Sequence, residues 1–135
     1  MVRVKDIRLK NNDYRNGWYF ITIVCNYRKP LLIEYRSLIE KEISEVKKIA
    51  GCELDYYVVM PDHVHLVLGL GNSGVAVGEI IRRFKARTSK EAKQKLWQPN
   101  FYEHGIRTEE ALNKIREYIQ NNPETELLKF DQFYR

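Results

Sequence analysis

Two histidines one residue apart, His63 and His65, sit in the otherwise apolar stretch HVHLVLGL at 63–70. Residues two apart on an extended strand face the same side, so the pair presents both imidazoles together. Such a pair is half of a metal site, or a phosphate-binding pair when protonated. A lone histidine there would read as a satisfied core residue, and a His-x-His pair leaves both readings open.

The complement lies near the end of the chain, in KIREYIQNNP. Tyr118 and Asn122 are four apart and share one helical face, with Asn121 nearly as well placed. Read plainly, Tyr118 is an amphipathic core residue and Asn122 a helix C-cap ahead of Pro123. A phenol, with a pKa near about 10, is a poor nucleophile at neutral pH. To attack, it needs nearby positive charge or a general base, and an electrophile sharpened by a Lewis acid. Two histidines and a carboxamide oxygen would leave open positions on a divalent cation, which substrate phosphate oxygens could fill. Imidazole donors favour Mn²⁺ or a later metal, while phosphate and water can complete a mixed shell for Mg²⁺. Attack by water ends in hydrolysis. Attack by tyrosine stores the cleaved bond as a phosphotyrosine ester that a DNA hydroxyl can reverse.

The elements that must bring these residues together follow from patterning. WYFITIV at 18–24 is aromatic and β-branched and predicts a strand after the turn at Asn16-Gly17. Apolar residues at helical spacing predict a helix from about Glu34 to Ala50, with Gly51 as its stop. Strands are predicted at 53–59 and 63–70, joined by the Met60-Pro61-Asp62 turn. A second helix is expected from Val77 to about Leu96, with Ile80, Ile81 and Phe84 on its buried side. WQPNFYEHGIR at 97–107 is aromatic and irregular, with room for an edge strand. Thr108 is the expected N-cap of a last helix running to about Asn121 or Asn122, with Glu109 and Glu110 in its first turn. The order β-α-β-β-α-(β)-α implies an α+β fold: an antiparallel, ferredoxin-like sheet with helices packed on one face. To this is added a C-terminal helix carrying Tyr118.

At 135 residues the chain is expected to form one domain over 1–135, and its composition suits a soluble globular protein. No apolar run approaches the roughly 20 residues of a membrane span, and the first residues lack a secretory pattern. Two cysteines, Cys25 and Cys52, stand in no metal-like spacing, which fits the reducing cytoplasm better than a disulfide framework.

The net charge of +5 is concentrated in one place. Between Glu79 and Lys95, seven basic residues face two acidic ones, and the rest of the chain balances sixteen against sixteen. Arg83, Arg87 and Lys90 fall at i, i+4 and i+7 with Arg82 and Lys85 beside them, a stripe suited to DNA phosphates or, plainly, a solvated helix face. Trp97, Phe101 and Tyr102 could stack on unpaired bases, although packing also accounts for Trp97. His104 could touch phosphate or the tyrosine, although a surface or packing role accounts for it as well.

YYVVMPDHVHLVL, then LWQPNFYEHGIR, then YIQNNP resemble, in that order, the signatures of the single-tyrosine HUH transposases. The resemblance runs from WYFITIV to Pro123 and is closest to the REP-associated tyrosine transposase branch, whose Tyr-Ile-x-x-Asn-Pro pattern is matched by Tyr118 to Pro123. It implies cleavage of single-stranded DNA next to hairpins, through a covalent 5′-phosphotyrosine, followed by strand transfer. Carried over, Tyr118 is the nucleophile, His63 and His65 are metal ligands, Asn122 is the third ligand, and Mg²⁺ or Mn²⁺ is the cofactor. Some relatives form dimers in which the tyrosine helix serves the partner's histidines, and others are monomers, so the resemblance leaves a homodimer and a monomer both open. After Pro123 the sequence ETELLKFDQFYR lacks the small-residue and glycine segment of this pattern. The competing classes are a non-catalytic hairpin or single-strand binding module, and a metal nuclease that uses water while Tyr118 is structural.

Overall fold

The computed structural model describes residues 16–121, with side chains as far as Glu117. In chain order the elements are β1 (Gly17–Val24), α1 (Leu32–Val46), β2 (Cys52–Met60), β3 (His63–Leu70), α2 (Val77–Ala92), β4 (Tyr102–Ile106) and α3 (Glu109–Asn121), with one short 3₁₀ turn at Asn26–Arg28. The strands form one sheet in the order β2-β3-β1-β4, antiparallel at each junction.

That order makes β1 parallel to β2 with β3 between them, and β3 parallel to β4 with β1 between them. Each parallel pair is joined through a helix, and the right-handed preference of such crossovers puts α1 and α2 on the same face. The core has that arrangement. Tyr19, Ile21 and Ile23 of β1, with Val64, Leu66 and Leu68 of β3, pack against Ile39 and Ile43 of α1 and Ile80 and Phe84 of α2. Trp18, Phe20, Val67 and Ile106 point to the opposite face and pack with Leu112 and Ile115 of α3. Every residue of β1 and β3 is therefore buried, which is why both read as near-continuous apolar runs.

The expected α+β, ferredoxin-like arrangement is the one observed, with the last helix on the face that α1 and α2 leave uncovered. Thr108 caps α3 as predicted, its Oγ1 accepting from the Ala111 N–H at 3.0 Å. Two helices stop early. α1 ends at Val46 instead of near Ala50, and α2 at Ala92 instead of near Leu96 because Lys93 takes a left-handed backbone at φ 58°. Gly51, at φ 78°, lies where any Cβ would come within 2.5 Å of the Gly71 carbonyl oxygen.

After α2 the chain turns back into the core. Leu96 and Trp97 are buried, the Trp97 indole N–H donates to Thr88 Oγ1 at 2.8 Å, and its ring lies 5.7 Å from that of Phe84. Trp97 is thus a packing residue. Among the described residues no helix is long and apolar enough to cross a membrane.

Candidate active site

Alternation along β3 gives the histidines their place. Val64, Leu66 and Leu68 face α1 and α2, so His63, His65 and Val67 face α3. Register then surrounds them: Thr22 of β1 lies opposite His65, Val58 of β2 lies on its other flank, and Met60 lies opposite His63. On the edge strand, Tyr102 pairs with Thr22 and His104 with Phe20, which places both on this same face.

Each imidazole is oriented through its Nδ1. Asp62 Oδ1 is 2.7 Å from Nδ1 of His63, and Thr22 Oγ1 is 2.6 Å from Nδ1 of His65. Metal-binding histidines are typically held in this way, by a second group on the nitrogen that does not ligate. A carboxylate accepting from Nδ1–H fixes the tautomer whose lone pair is on Nε2, and the hydroxyl of Thr22 can do the same for His65. The two rings sit 4.8 Å apart, centroid to centroid, at 73°, and the Phe20 ring lies 5.1 Å from His65. Both histidines are at most 2% exposed. Two oriented imidazoles on one face fit an imidazole-binding divalent cation. Among the described residues no group of three or more His, Cys, Asp or Glu completes such a site, so further ligands must be of another type or from elsewhere.

Tyr118 lies in the last turns of α3, and its side chain is outside the described residues, as is Asn122. The structure does describe what seats that helix. Leu112 and Ile115 bury themselves against Trp18, Val67 and Ile106. One residue beyond Ile115, Arg116 Nε donates to Asp55 Oδ2 at 2.6 Å, with a second bond from its NH2 group to Oδ1. Asp55 is the inserted residue of a β-bulge in β2, between Leu54 opposite Leu68 and Tyr56 opposite Val67. The bulge explains how Leu54 and Tyr56, two apart, reach opposite faces of the sheet. It also frees the Asp55 carboxylate to meet α3.

The basic helix lies on the other face of the sheet from the histidines, and its charges are differently employed. Arg82 and Arg83 both bond to Glu79, whose carboxyl they hold down to about 2. The Lys85 ammonium, a candidate phosphate contact, donates to the carbonyls of Gln98, Pro99 and Asn100 at 2.6, 3.1 and 3.1 Å. Burial lowers its pKa, with Lys95 adding to the effect. Arg87 and Lys90 are exposed, as the stripe predicts.

Sequence reasoning did not find Thr22, Asp62 as a partner of His63, or the Arg116–Asp55 pair. Thr22 carried a signal, as the one hydroxyl-bearing aliphatic residue in WYFITIV, and Asp62 stood next to His63. Asp55 carried none, since a bulge has no reliable sequence mark.

The fold agrees with comparison to known proteins. The family model described as "Transposase IS200 like" matches residues 13–122. An uncharacterized protein of Haemophilus influenzae is 31% identical, over 96% of this chain and 92% of that one. The REP-associated tyrosine transposase of Escherichia coli is 29% identical, over 78% of this chain and 65% of its own length. Among solved structures, a REP-associated tyrosine transposase bound to a REP hairpin superposes with a TM-score of 0.72 at 27% identity, covering 86% of this chain and 72% of that one. With a family match over 110 of its 135 residues (13 through 122), this chain belongs to the IS200-like transposases.

Proposed function

We propose that this transposase is a metal-dependent single-stranded DNA endonuclease and strand-transferase, its one catalytic domain spanning residues 1–135. Its substrate is read as single-stranded DNA bearing hairpins, by likeness to the relative bound to a REP hairpin. The observation that carries this reading is the pair His63 and His65, each tied through Nδ1, on the sheet face that α3 covers.

In this reading His63, His65 and Asn122 hold Mg²⁺ or Mn²⁺, which when bound supplies Lewis acidity at the scissile phosphate and orients its oxygens. Tyr118 Oη forms a bond to phosphorus while the bond from phosphorus to the 3′ oxygen breaks. The phenolic proton is balanced by the proton that the departing oxygen takes up, giving a 3′ hydroxyl. The phosphate remains esterified to Tyr118 and to the 5′ oxygen of the downstream fragment, so the number of phosphoester bonds is unchanged. A second 3′ hydroxyl can then reverse the step and join a new end. Arg87 and Lys90, with Arg82 and Arg83 where Glu79 yields them, are assigned to the DNA backbone. The free thiols of Cys25 and Cys52 suit a cytoplasmic protein. A monomer and a homodimer both accommodate this chemistry.

The test is incubation with Mn²⁺ and a labelled hairpin oligonucleotide, followed by denaturing electrophoresis. A protein–DNA adduct that disappears in Tyr118→Phe, and in His63→Ala without comparable loss of affinity, is the expected result. Cleavage without an adduct would instead make the protein a water-using nuclease, and binding without cleavage would make it a hairpin-binding module.

A further inference from the structure

Two adjoining hollows lie where α2 begins beside β4, on the sheet face opposite the histidines. The larger, about 340 Å³, is lined by Ala76, Val77, Gly78, Phe101 and Glu103. The smaller, about 280 Å³, shares Gly78 and Phe101 and extends past Arg82 to Asn100. Such volumes lie at the small end of ligand pockets, too small for a duplex and sufficient for a single nucleotide.

The lining selects what can enter. Phe101 is half-buried and offers an aromatic surface common to both hollows. The carboxyl of Glu103 has no hydrogen bond or ion pair among the described residues, and burial raises its pKa. Burying a carboxyl without a partner is costly. A phosphate beside it would add repulsion, whereas a base amino group would donate to it, as cytosine N4 does to Glu or Asp. Arg82 stands at the smaller hollow, where a phosphate is tolerated. The walls are held in place: Lys85 clasps three successive carbonyls in the segment leading into Phe101.

We propose that these hollows bind one unpaired nucleotide of the DNA strand, its base stacked on Phe101 with an exocyclic amino group donating to Glu103. The inference rests on the single-strand reading above and adds a specificity site to it. Residues 101–104 alternate about the sheet edge, with Glu103 opposite Ile21 and Tyr102 opposite Thr22. A strand leaving the hollow therefore passes β4 onto the histidine face. β3 lies two strand spacings in from that edge, roughly 10 Å away. A few nucleotides cover that.

Gly78 supplies a clean probe. Gly78 lines both hollows and a Cβ there meets nothing within 4 Å, so Gly78→Leu places bulk at the hollows from an unstrained first atom and raises helix propensity. The measurement is fluorescence-anisotropy binding of a hairpin oligonucleotide with single-stranded flanks, scanned with one abasic site at a time. For the wild type, one flank position should weaken binding by roughly 5- to 150-fold when abasic, the range of a single base stack. Gly78→Leu should bind intact DNA weakly by that same factor and be indifferent to the abasic site. At that position thymine, which has no amino group, should be the worst base, and Glu103→Gln should level the preference. Phe101→Leu, tested alongside, should lose the same abasic sensitivity. The inference is overturned if Gly78→Leu and Phe101→Leu both bind every oligonucleotide as the wild type does, or keep its abasic sensitivity. A wild type that fails to bind any hairpin overturns the single-strand reading itself, a result distinguishable from the others.

Discussion

Arg116 of α3 grips Asp55 of β2 across 61 positions of sequence, and by doing so fastens the helix that bears Tyr118 to the face that bears His63 and His65. The two partners are unequal. The Asp55 side chain is 3% exposed and that of Arg116 is 32% exposed. Removing the arginine strands a buried carboxylate, whereas removing the aspartate leaves a guanidinium that can turn to water. Arg116→Ala should therefore cost more, roughly 3 kcal/mol or above, than Asp55→Ala. Urea unfolding of the two variants measures the difference, and equal costs would contradict the inequality.

Thr22 should act on chemistry through His65. Thr22→Val keeps the shape of the side chain but removes the oxygen 2.6 Å from Nδ1. Loss of such an orienting group costs roughly 10- to 100-fold in metal affinity or activity. Single-turnover cleavage across a Mn²⁺ titration should show that loss, with half-saturation moved to higher metal. Thr22→Ser should restore most of it. A purely structural role would move the melting temperature and leave the metal dependence alone.

Trp18 lies flat over a position that has no side chain. A Cβ on Gly69 would sit 2.7 Å from two atoms of the Trp18 ring, which in turn packs in the core with Leu112 and Ile115. Gly69→Ala should destabilise the protein by roughly 1–3 kcal/mol through overpacking. Because the displaced ring lies under α3, adduct formation should fall more than hairpin affinity does. Thermal melts and the two DNA assays together check this.

The cysteines give an alkaline limit to stability. Burial raises the Cys25 thiol from 9.0 to about 12 and the Cys52 thiol to about 11. Between those values and 9.0 the unfolded chain has released protons that the folded chain retains, so stability falls as pH rises through this window. Well below pH 9.0 both states keep the thiol protons and the slope vanishes. Denaturant midpoints from pH 8 to about 11 should decline in the wild type and decline less in Cys25→Ala. Tyrosine and lysine ionisation affects both proteins alike.

Lys85 and Arg87, two apart on α2, should separate in a salt titration. Arg87→Ala should lower the slope of log affinity against log salt by about 1 if it neutralises one phosphate. Lys85→Met should leave that slope nearly unchanged and lower the melting temperature, because its ammonium serves the chain's own carbonyls. Equal slope changes would return Lys85 to the DNA interface.

What could be read before folding was whatever depends on near neighbours in the chain. β3 was legible over its full length, as was the Thr108 cap, because alternation and capping are local. So was the shared face of His63 and His65, since a strand permits no other arrangement of residues two apart. α2 ran past its true end because no glycine marks Lys93, a lysine that takes a left-handed conformation.

Only the tertiary structure decided which groups stand behind the site. The hydroxyl on His65 comes from β1, through a register that no local pattern encodes. The bulge at Asp55 turns on one residue outside the strand pairing, and the partner of its carboxylate lies on a helix three elements beyond β3. The basic helix and the histidines, adjacent in sequence, lie on opposite faces of the sheet, since crossover handedness assigns α2 its face while alternation assigns the imidazoles theirs. Residue identity supplied the chemistry, and long-range pairing, which has no short-range signature, chose the groups that orient it.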